Sequence, residues 1–251
     1  MYNINLQKII KIINHTGKEI LKIYERDFNI EYKEDNSPLT EADKLSNNMI
    51  ASELKNLYPN IPIITEESKH IPYEKRKDWD YFWLVDPLDG TKEFIKKNGE
   101  FTINIALIKK NTPILGVVYV PVKDILYYAD KNGSFKQEKS IITKLEPKET
   151  QPKEKLIIVA SRSHFNEETK NYIENLGKKY EFISAGSALK LCLVAENKAD
   201  LYPRLGPTME WDTAAAHAVV KFAGKKVINY ETNEELIYNK QNLMNPWFVV
   251  K

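Results

Sequence analysis

The chain has 251 residues, 42% apolar and 29% charged, with a formal net charge of +2. That composition describes a globular protein with a substantial core, and it excludes the strong positive field of a nucleic-acid or membrane-surface binder. The one cysteine, Cys192, permits no intrachain disulfide, and no stretch reaches the roughly 20 apolar residues of a membrane span, so the expected setting is the cytoplasm.

Lysines interrupt the first apolar residues throughout, so no signal peptide is expected. Leu6, Ile9, Ile10, Ile13, Gly17, Ile20, Leu21 and Tyr24 recur at helical spacing and predict an amphipathic helix over 4–25. Phe28, Ile30 and Tyr32 alternate like a strand. Asn36-Ser37-Pro38 reads as a turn, and Thr40 as the cap of a helix to Leu57, with Asp43 at the acidic position of a capping box. Ile61 to Thr65 is a short strand that ends in two acids, Glu66 and Glu67.

After a charged stretch, 69–80, the apolar run Tyr81 to Val85 predicts a buried strand that also ends on an acid. The motif is Asp86-Pro87-Leu88-Asp89-Gly90-Thr91. Pro87 and Gly90 suit a tight turn that points Asp86 and Asp89 at one spot. Two carboxylates meeting there repel and are costly to desolvate without a cation between them. Lys92-Glu93-Phe94-Ile95 then starts a helix whose free amides favour an anion such as phosphate. Read alone, the string is equally an acidic β-turn.

Phe101 to Ile108, Ile114 to Val120 and Ile125 to Ala129 predict consecutive strands, and Asn132-Gly133 a hairpin, giving a largely antiparallel sheet. Residues 144–155, rich in Lys, Glu and Pro, mark a boundary. Beyond it strands at 156–160, 180–183, 199–202 and 226–230 alternate with helices at 167–176, 187–196 and 213–223. Ser187 is read as the cap of the second of these helices. Trp247 to Val250 predicts an edge strand, and Cys192 a core position. Asp212, in Met209-Glu210-Trp211-Asp212-Thr213, stands at the start of an alanine-rich helix, where a carboxylate is also a good cap.

Taken together, Thr65-Glu66-Glu67, Asp86 to Thr91 and Trp211-Asp212 resemble the lithium-sensitive, magnesium-dependent phosphatases that include inositol monophosphatase and the bisphosphate nucleotidases. The likeness runs from Asn36 to the Asp212 helix. It is sharpened towards the 3′(2′),5′-bisphosphate nucleotidases by Gly90 to Ile95, Asn98 to Asn104 and Gly186-Ser187-Ala188-Leu189-Lys190.

The resemblance implies an α+β and α/β chain in a layered αβαβα sandwich, the inositol monophosphatase or sugar phosphatase fold. The N-terminal half would be 1–145 and the C-terminal half 146–251. It implies two or three Mg²⁺ ions held by Glu66, Asp86, the Leu88 carbonyl, Asp89 and Asp212, all oxygen donors. Catalysis would rest on Asp43, Thr91 and Glu66. Substrate contacts would come from Gly90, Thr91, His164, Gly186, Ser187, Lys190, Arg204 and Asp212. The expected reaction is removal of the 3′-phosphate from adenosine 3′,5′-bisphosphate, and of the corresponding phosphate from 3′-phosphoadenylyl sulfate. The expected partner is that small nucleotide, with no nucleic acid and no integral membrane segment. The alternatives are inositol monophosphatase or fructose-1,6-bisphosphatase activity, or a silent, cation-dependent nucleotide-binding regulator. Two positions depart from the family pattern, Ala216 and Lys225, and neither removes a candidate ligand.

Overall fold

A computed structural model describes residues 2–68, 71–148, 154–160 and 166–251. Helix α1 (Leu6–Tyr24) starts where the Asn5 side chain accepts from the Lys8 amide, and it buries Ile9, Ile13 and Ile20. A hairpin follows, β1 (Ile30–Tyr32) and β2 (Pro38–Thr40), then α2 (Glu41–Leu57), β3 (Ile63–Thr65), α3 (Tyr73–Arg76) and β4 (Tyr81–Asp89). After α4 (Thr91–Ile95) the chain runs through β5 (Thr102–Lys109), β6 (Thr112–Val120), β7 (Ile125–Asp130), β8 (Gly133–Glu138) and β9 (Ile141–Leu145). It continues with β10 (Lys155–Ala160), α5 (Glu167–Glu174), β11 (Lys179–Ser184), α6 (Leu189–Ala195) and β12 (Tyr202–Arg204). The last elements are α7 (Glu210–Phe222), β13 (Val227–Asn229) and β14 (Phe248–Val250).

Among the described residues β3 to β9 pair in chain order as one seven-stranded sheet, antiparallel except for β3 beside β4. Side chains alternate across it, so β4 and β5 feed two cores. Trp83, Val85, Ile103 and Ile105 face α1 and α2. Phe82, Leu84, Ala106 and Ile108 face α6 and α7. Below those helices lie the sheet β12-β14-β13 and the parallel pair β10-β11, joined through the Ile158–Leu201 bridge. Ile173 of α5 closes the far side against Ile158, Leu201 and Val249. The layers therefore run helix, sheet, helix, sheet, helix, as expected.

The alanines of α7 let it lie unusually close to the large sheet. A Cβ on Gly116 of β6 would stand 2.1 Å from the Ala215 carbonyl oxygen. This close seating brings the first turn of α7 to the end of β4.

Four local expectations need correction. The Asp86–Asp89 motif is not a β-turn: β4 runs through it with a register shift between Asp86 and Asp89, because Pro87 offers the ladder no N–H. Ser187 does not cap α6, which begins after Ala188; Ser187 sits at φ +46° with its hydroxyl turned elsewhere. Helix α7 begins at Glu210, so Asp212 is its third residue and not its cap. The C-terminal strand is central, with β12 on one side and β13 on the other, and Phe248 and Val250 are fully buried. Its neighbours come from 19 or more residues away in sequence, so no local pattern marks it as central.

Candidate active site

Parallel pairing of β3 with β4 places Thr65 beside Val85, so Glu66 leaves the sheet next to Asp86. The Glu66 amide is itself tied to the Val85 carbonyl at 3.2 Å. Asp86 is almost fully buried, and among the described residues its carboxylate accepts only the Leu88 amide, at 3.1 Å. Asp89 faces across to β5, where Asn104 donates to its Oδ2 at 3.4 Å. Ser46 of α2 donates to the Pro87 carbonyl at 2.6 Å and pins the motif from behind. The Asp212 carboxylate accepts the Met209 amide at 2.8 Å in the first turn of α7.

These acids share one field. Burial, reinforced by the negative charges of Glu66, Asp89 and Asp212, pushes Asp86 well above the usual carboxylate range. Burial and then Asp89 raise Asp212 in the same way. Burial pushes Asp89 up to about 6, against the opposing pull of Lys190. Burial also raises Glu66, although Lys33 pulls the other way.

The donors suit a hard cation in kind: oxygen atoms only, desolvated, with excess negative charge. The buried Asn104 Oδ1 and Thr65 Oγ1 beside them have no hydrogen-bond partner among the described residues. The arrangement is nevertheless not closed. Among the described residues no three His, Cys, Asp or Glu side chains converge as a ligand set. Glu66 is turned to the Lys33 ammonium at 2.9 Å, which also holds Glu67 at 2.5 Å. Asp212 is turned to the backbone of its own helix.

Beside the acids lies a hydrogen-bonded Asp–Thr pair. Asp43 is buried at the start of α2, where Oδ2 accepts from the Thr40 amide at 2.7 Å and the Thr40 hydroxyl at 2.6 Å. Its Oδ1 accepts the Thr91 hydroxyl at 3.0 Å. The capping box and the contact with Thr91 therefore coexist. Burial raises the Asp43 pKa, against the pull of its hydrogen bonds from Thr40 and Thr91.

Gly90, at φ +94°, turns the chain from β4 into α4, a backbone conformation that side-chain-bearing residues rarely adopt. Helix α4 is only five residues long, so it adds little dipole. The cleft it borders has about 970 Å³ of open space, mouth included, and its far wall carries cations. Lys190 is nearly buried there, donating to the Ser187 carbonyl at 2.8 Å and lying 5.7 Å over the Tyr202 ring. Burial pulls its pKa down to about 8, with Asp89 opposing. Arg204 donates one Nη to the Pro207 carbonyl, and its buried Nε has no partner among the described residues.

Gly186 also lines the cleft, but the close approach that demands glycine is to protein: a Cβ there would lie 2.6 Å from the Glu100 carbonyl oxygen. Ser187 donates its hydroxyl to that same carbonyl at 3.0 Å. His164 falls outside the described residues. The structure thus gathers Glu66, Asp89, Gly90, Thr91, Gly186, Ser187, Lys190, Arg204 and Asp212 around one cleft, with Asp43, Asp86 and Leu88 directly behind it. Sequence reasoning missed Lys33, Ser46 and Asn104. Asn104 carried a faint signal, a polar residue inside an apolar strand; Lys33 and Ser46 carried none.

A buried acid cluster at the ends of two parallel strands, an Asp–Thr pair and a facing cationic wall are the kinds of group that a metal-dependent phosphomonoesterase uses. The sequence model of the Inositol monophosphatase family matches residues 5–247, and the chain belongs to that family. Within it, the chain is 42% identical over 247 residues to the 3′(2′),5′-bisphosphate nucleotidase CysQ of Salmonella typhimurium, covering 98% of both. It is 47% identical to the protein of that name from Buchnera aphidicola, over 88% of this chain and 83% of the relative. The crystal structure of CysQ from Bacteroides thetaiotaomicron superposes with a TM-score of 0.87 at 43% identity, covering 98% of this chain and 96% of that one.

Proposed function

We propose that this protein is a 3′(2′),5′-bisphosphate nucleotidase that hydrolyses the 3′-phosphate of adenosine 3′,5′-bisphosphate to AMP and phosphate. The observation that carries the reading is the two-sided cleft. One wall holds acids with the Asp43–Thr91 pair, and the other holds Lys190 and Arg204, cations suited to a second phosphate. The identity to relatives of that name supports the same reading. Acceptance of 3′-phosphoadenylyl sulfate follows if the cationic wall tolerates the added sulfate.

Glu66, Asp86, Asp89, Asp212 and the Leu88 carbonyl are the residues that would hold two or three Mg²⁺ ions. When bound, Mg²⁺ supplies a hard positive charge that makes water more acidic and neutralises charge on the leaving oxygen. Thr91 passes its hydroxyl proton towards Asp43 Oδ1 and so offers its Oγ1 lone pairs to the attacking water. The buried Asp43, with its raised proton affinity, is suited to receive that proton. Amides at the Gly90–Thr91 turn orient the phosphoryl oxygens, and displacement is in line and direct, without a phospho-enzyme. The half 1–145 supplies most of the acids, the half 146–251 supplies Asp212 and the cationic wall, and we place the protein in the cytoplasm. Among the described residues no helix is long and apolar enough to cross a membrane.

Phosphate release from adenosine 3′,5′-bisphosphate and from inositol 1-phosphate, with Mg²⁺ and with or without Li⁺, tests the proposal. Preferential, Li⁺-sensitive turnover of the nucleotide is expected. Equal or faster turnover of the inositol phosphate would move the substrate to the sugar-phosphate class. No turnover of either, despite binding, would make the protein a regulator.

A further inference from the structure

Helix α4 carries Lys92, Glu93, Phe94 and Ile95, yet the mechanism above uses none of these side chains. Phe94 is fully buried and packs on Phe101, Tyr24 and Phe28. Glu93 is different. It lines the same cleft as Asp89, Lys190 and Arg204. Its side chain lies against the two glycines of the site: a Cβ on Gly90 would sit 3.3 Å from Glu93 Oε2, and one on Gly186 would sit 3.2 Å from the Glu93 Cγ methylene. Its charge reaches both Asp89 and Lys190. Among the described residues no hydrogen bond or ion pair reaches the Glu93 carboxylate. It does not cap α4 either, whose N-terminal residue Gly90 has no side-chain capping bond.

An anionic acceptor in a cleft built for phosphates repels the phosphates themselves. It favours a substrate only where that substrate presents a hydrogen-bond donor, and the donors beside a sugar phosphate are hydroxyls. Glu93 stands between the turn that would hold the scissile phosphate, at Gly90, and the segment leading to Lys190. Of a sugar's hydroxyls, the one vicinal to the phosphorylated carbon is held nearest that phosphate by the ring itself, so it is the donor that an acceptor beside Gly90 would serve. We propose that Glu93 is a specificity-determining residue that accepts the ribose hydroxyl next to the scissile phosphate, so that the enzyme selects ribonucleotide over 2′-deoxyribonucleotide bisphosphates. The inference rests on the nucleotide reading above and deepens it.

The test compares kcat/KM for adenosine 3′,5′-bisphosphate and its 2′-deoxy analogue in the wild type, Glu93→Gln and Glu93→Ala, with circular dichroism to confirm folding. The wild type should prefer the ribonucleotide by about tenfold or more, the factor a missing hydrogen bond to a charged acceptor produces. Glu93→Ala should bring the ratio close to one by losing ribonucleotide turnover. Glu93→Gln, which keeps an acceptor oxygen, should retain part of the preference. An unchanged ratio in Glu93→Ala, with both substrates falling together, would make Glu93 merely structural and overturn the proposal, as would a wild type without preference. Wild-type turnover of inositol 1-phosphate but of neither nucleotide would instead overturn the substrate reading, and this inference with it.

Discussion

Asp43 is asked to do two jobs, and the two can be separated. Its Oδ2 closes the start of α2 through Thr40, and its Oδ1 takes the hydroxyl of Thr91. Asp43→Asn keeps the shape but loses the capacity to hold a proton, and it turns a donor amide towards either the Thr40 N–H or the Thr91 hydroxyl. The cap contribution is about 1 kcal/mol. For a chain of this size that lowers Tm by roughly 2–4 °C. Loss of a general base costs about 10²–10⁴-fold in kcat, or roughly 3–5 kcal/mol of barrier. Thr40→Ala is the control: it removes the hydroxyl that accepts from the Ala42 amide and donates to Asp43 Oδ2, but it keeps the Asp43 carboxylate, the Thr40 amide bond to it and the Thr91 contact. It should show a similar fall in Tm with kcat within about threefold of wild type. The assays are thermal unfolding by circular dichroism and phosphate release at saturating Mg²⁺ well below either Tm. If both variants lost activity to the same degree, Asp43 would be a cap and nothing more, and the proton path from Thr91 would be wrong.

Asp89→Asn should abolish phosphate release even at saturating Mg²⁺ while leaving the circular dichroism spectrum unchanged, since it removes charge from an overcrowded acid cluster. Substantial retained turnover would remove Asp89 from the proposed ligand set. Chelation with EDTA should likewise stop turnover, and added Mg²⁺ should restore it. Gly116→Ala should destabilise by about 1–3 kcal/mol or more in urea unfolding, because its Cβ would press on the Ala215 carbonyl at 2.1 Å and on the Ala218 methyl at 2.8 Å. A neutral outcome there would mean that α7 can shift away from the sheet without cost.

A pH dependence should also arise away from the cleft. His217 is buried, with Nδ1 bonded to the Tyr238 hydroxyl at 2.9 Å and Nε2 to Glu235 at 3.1 Å; burial lowers its pKa below 6.5. Below pH 6.5 the unfolded chain therefore binds a proton that the native state resists, so stability falls with acidification. Hydrogen bonding from His217 and Lys221 takes Glu235 down to about 2, which extends the loss below the ordinary value of 4.5. The raised acids of the cleft contribute with the opposite sign over the same range, so the histidine is read by difference: wild-type urea midpoints should fall relative to those of His217→Gln as the pH is lowered from 8 to 5. A difference between the two proteins that did not change with pH would contradict the neutral histidine.

Much of this protein was legible in one dimension because the controlling contacts are local. Thr40 and Asp43 lie one helical turn apart, so the cap of α2 and its length followed from spacing alone. The apolar runs of β4 to β7 and the Asn132-Gly133 hairpin were equally plain, since a strand buried on both faces must be apolar at nearly every position. The family motif likewise marked the acids by residue type before any of them was seen together.

Other features depended on elements far apart in the chain. Whether Pro87 made a turn or a bulge depended on β5 offering Asn104 and Thr102 as partners. The place of β14 depended on β12 and β13 arriving on either side. Lys33, half-buried against Glu66 and Glu67, carried no sequence signal because a lone lysine in a polar hairpin looks solvated until the acids fold beneath it. Thus the sequence alone determined the helices, the strands and the inventory of acids, all governed by steric and capping rules that act over a few residues. The tertiary structure decided which acids share a field and which cations face them. That decision turns on desolvation and distance, and both exist only once α7 lies against the sheet.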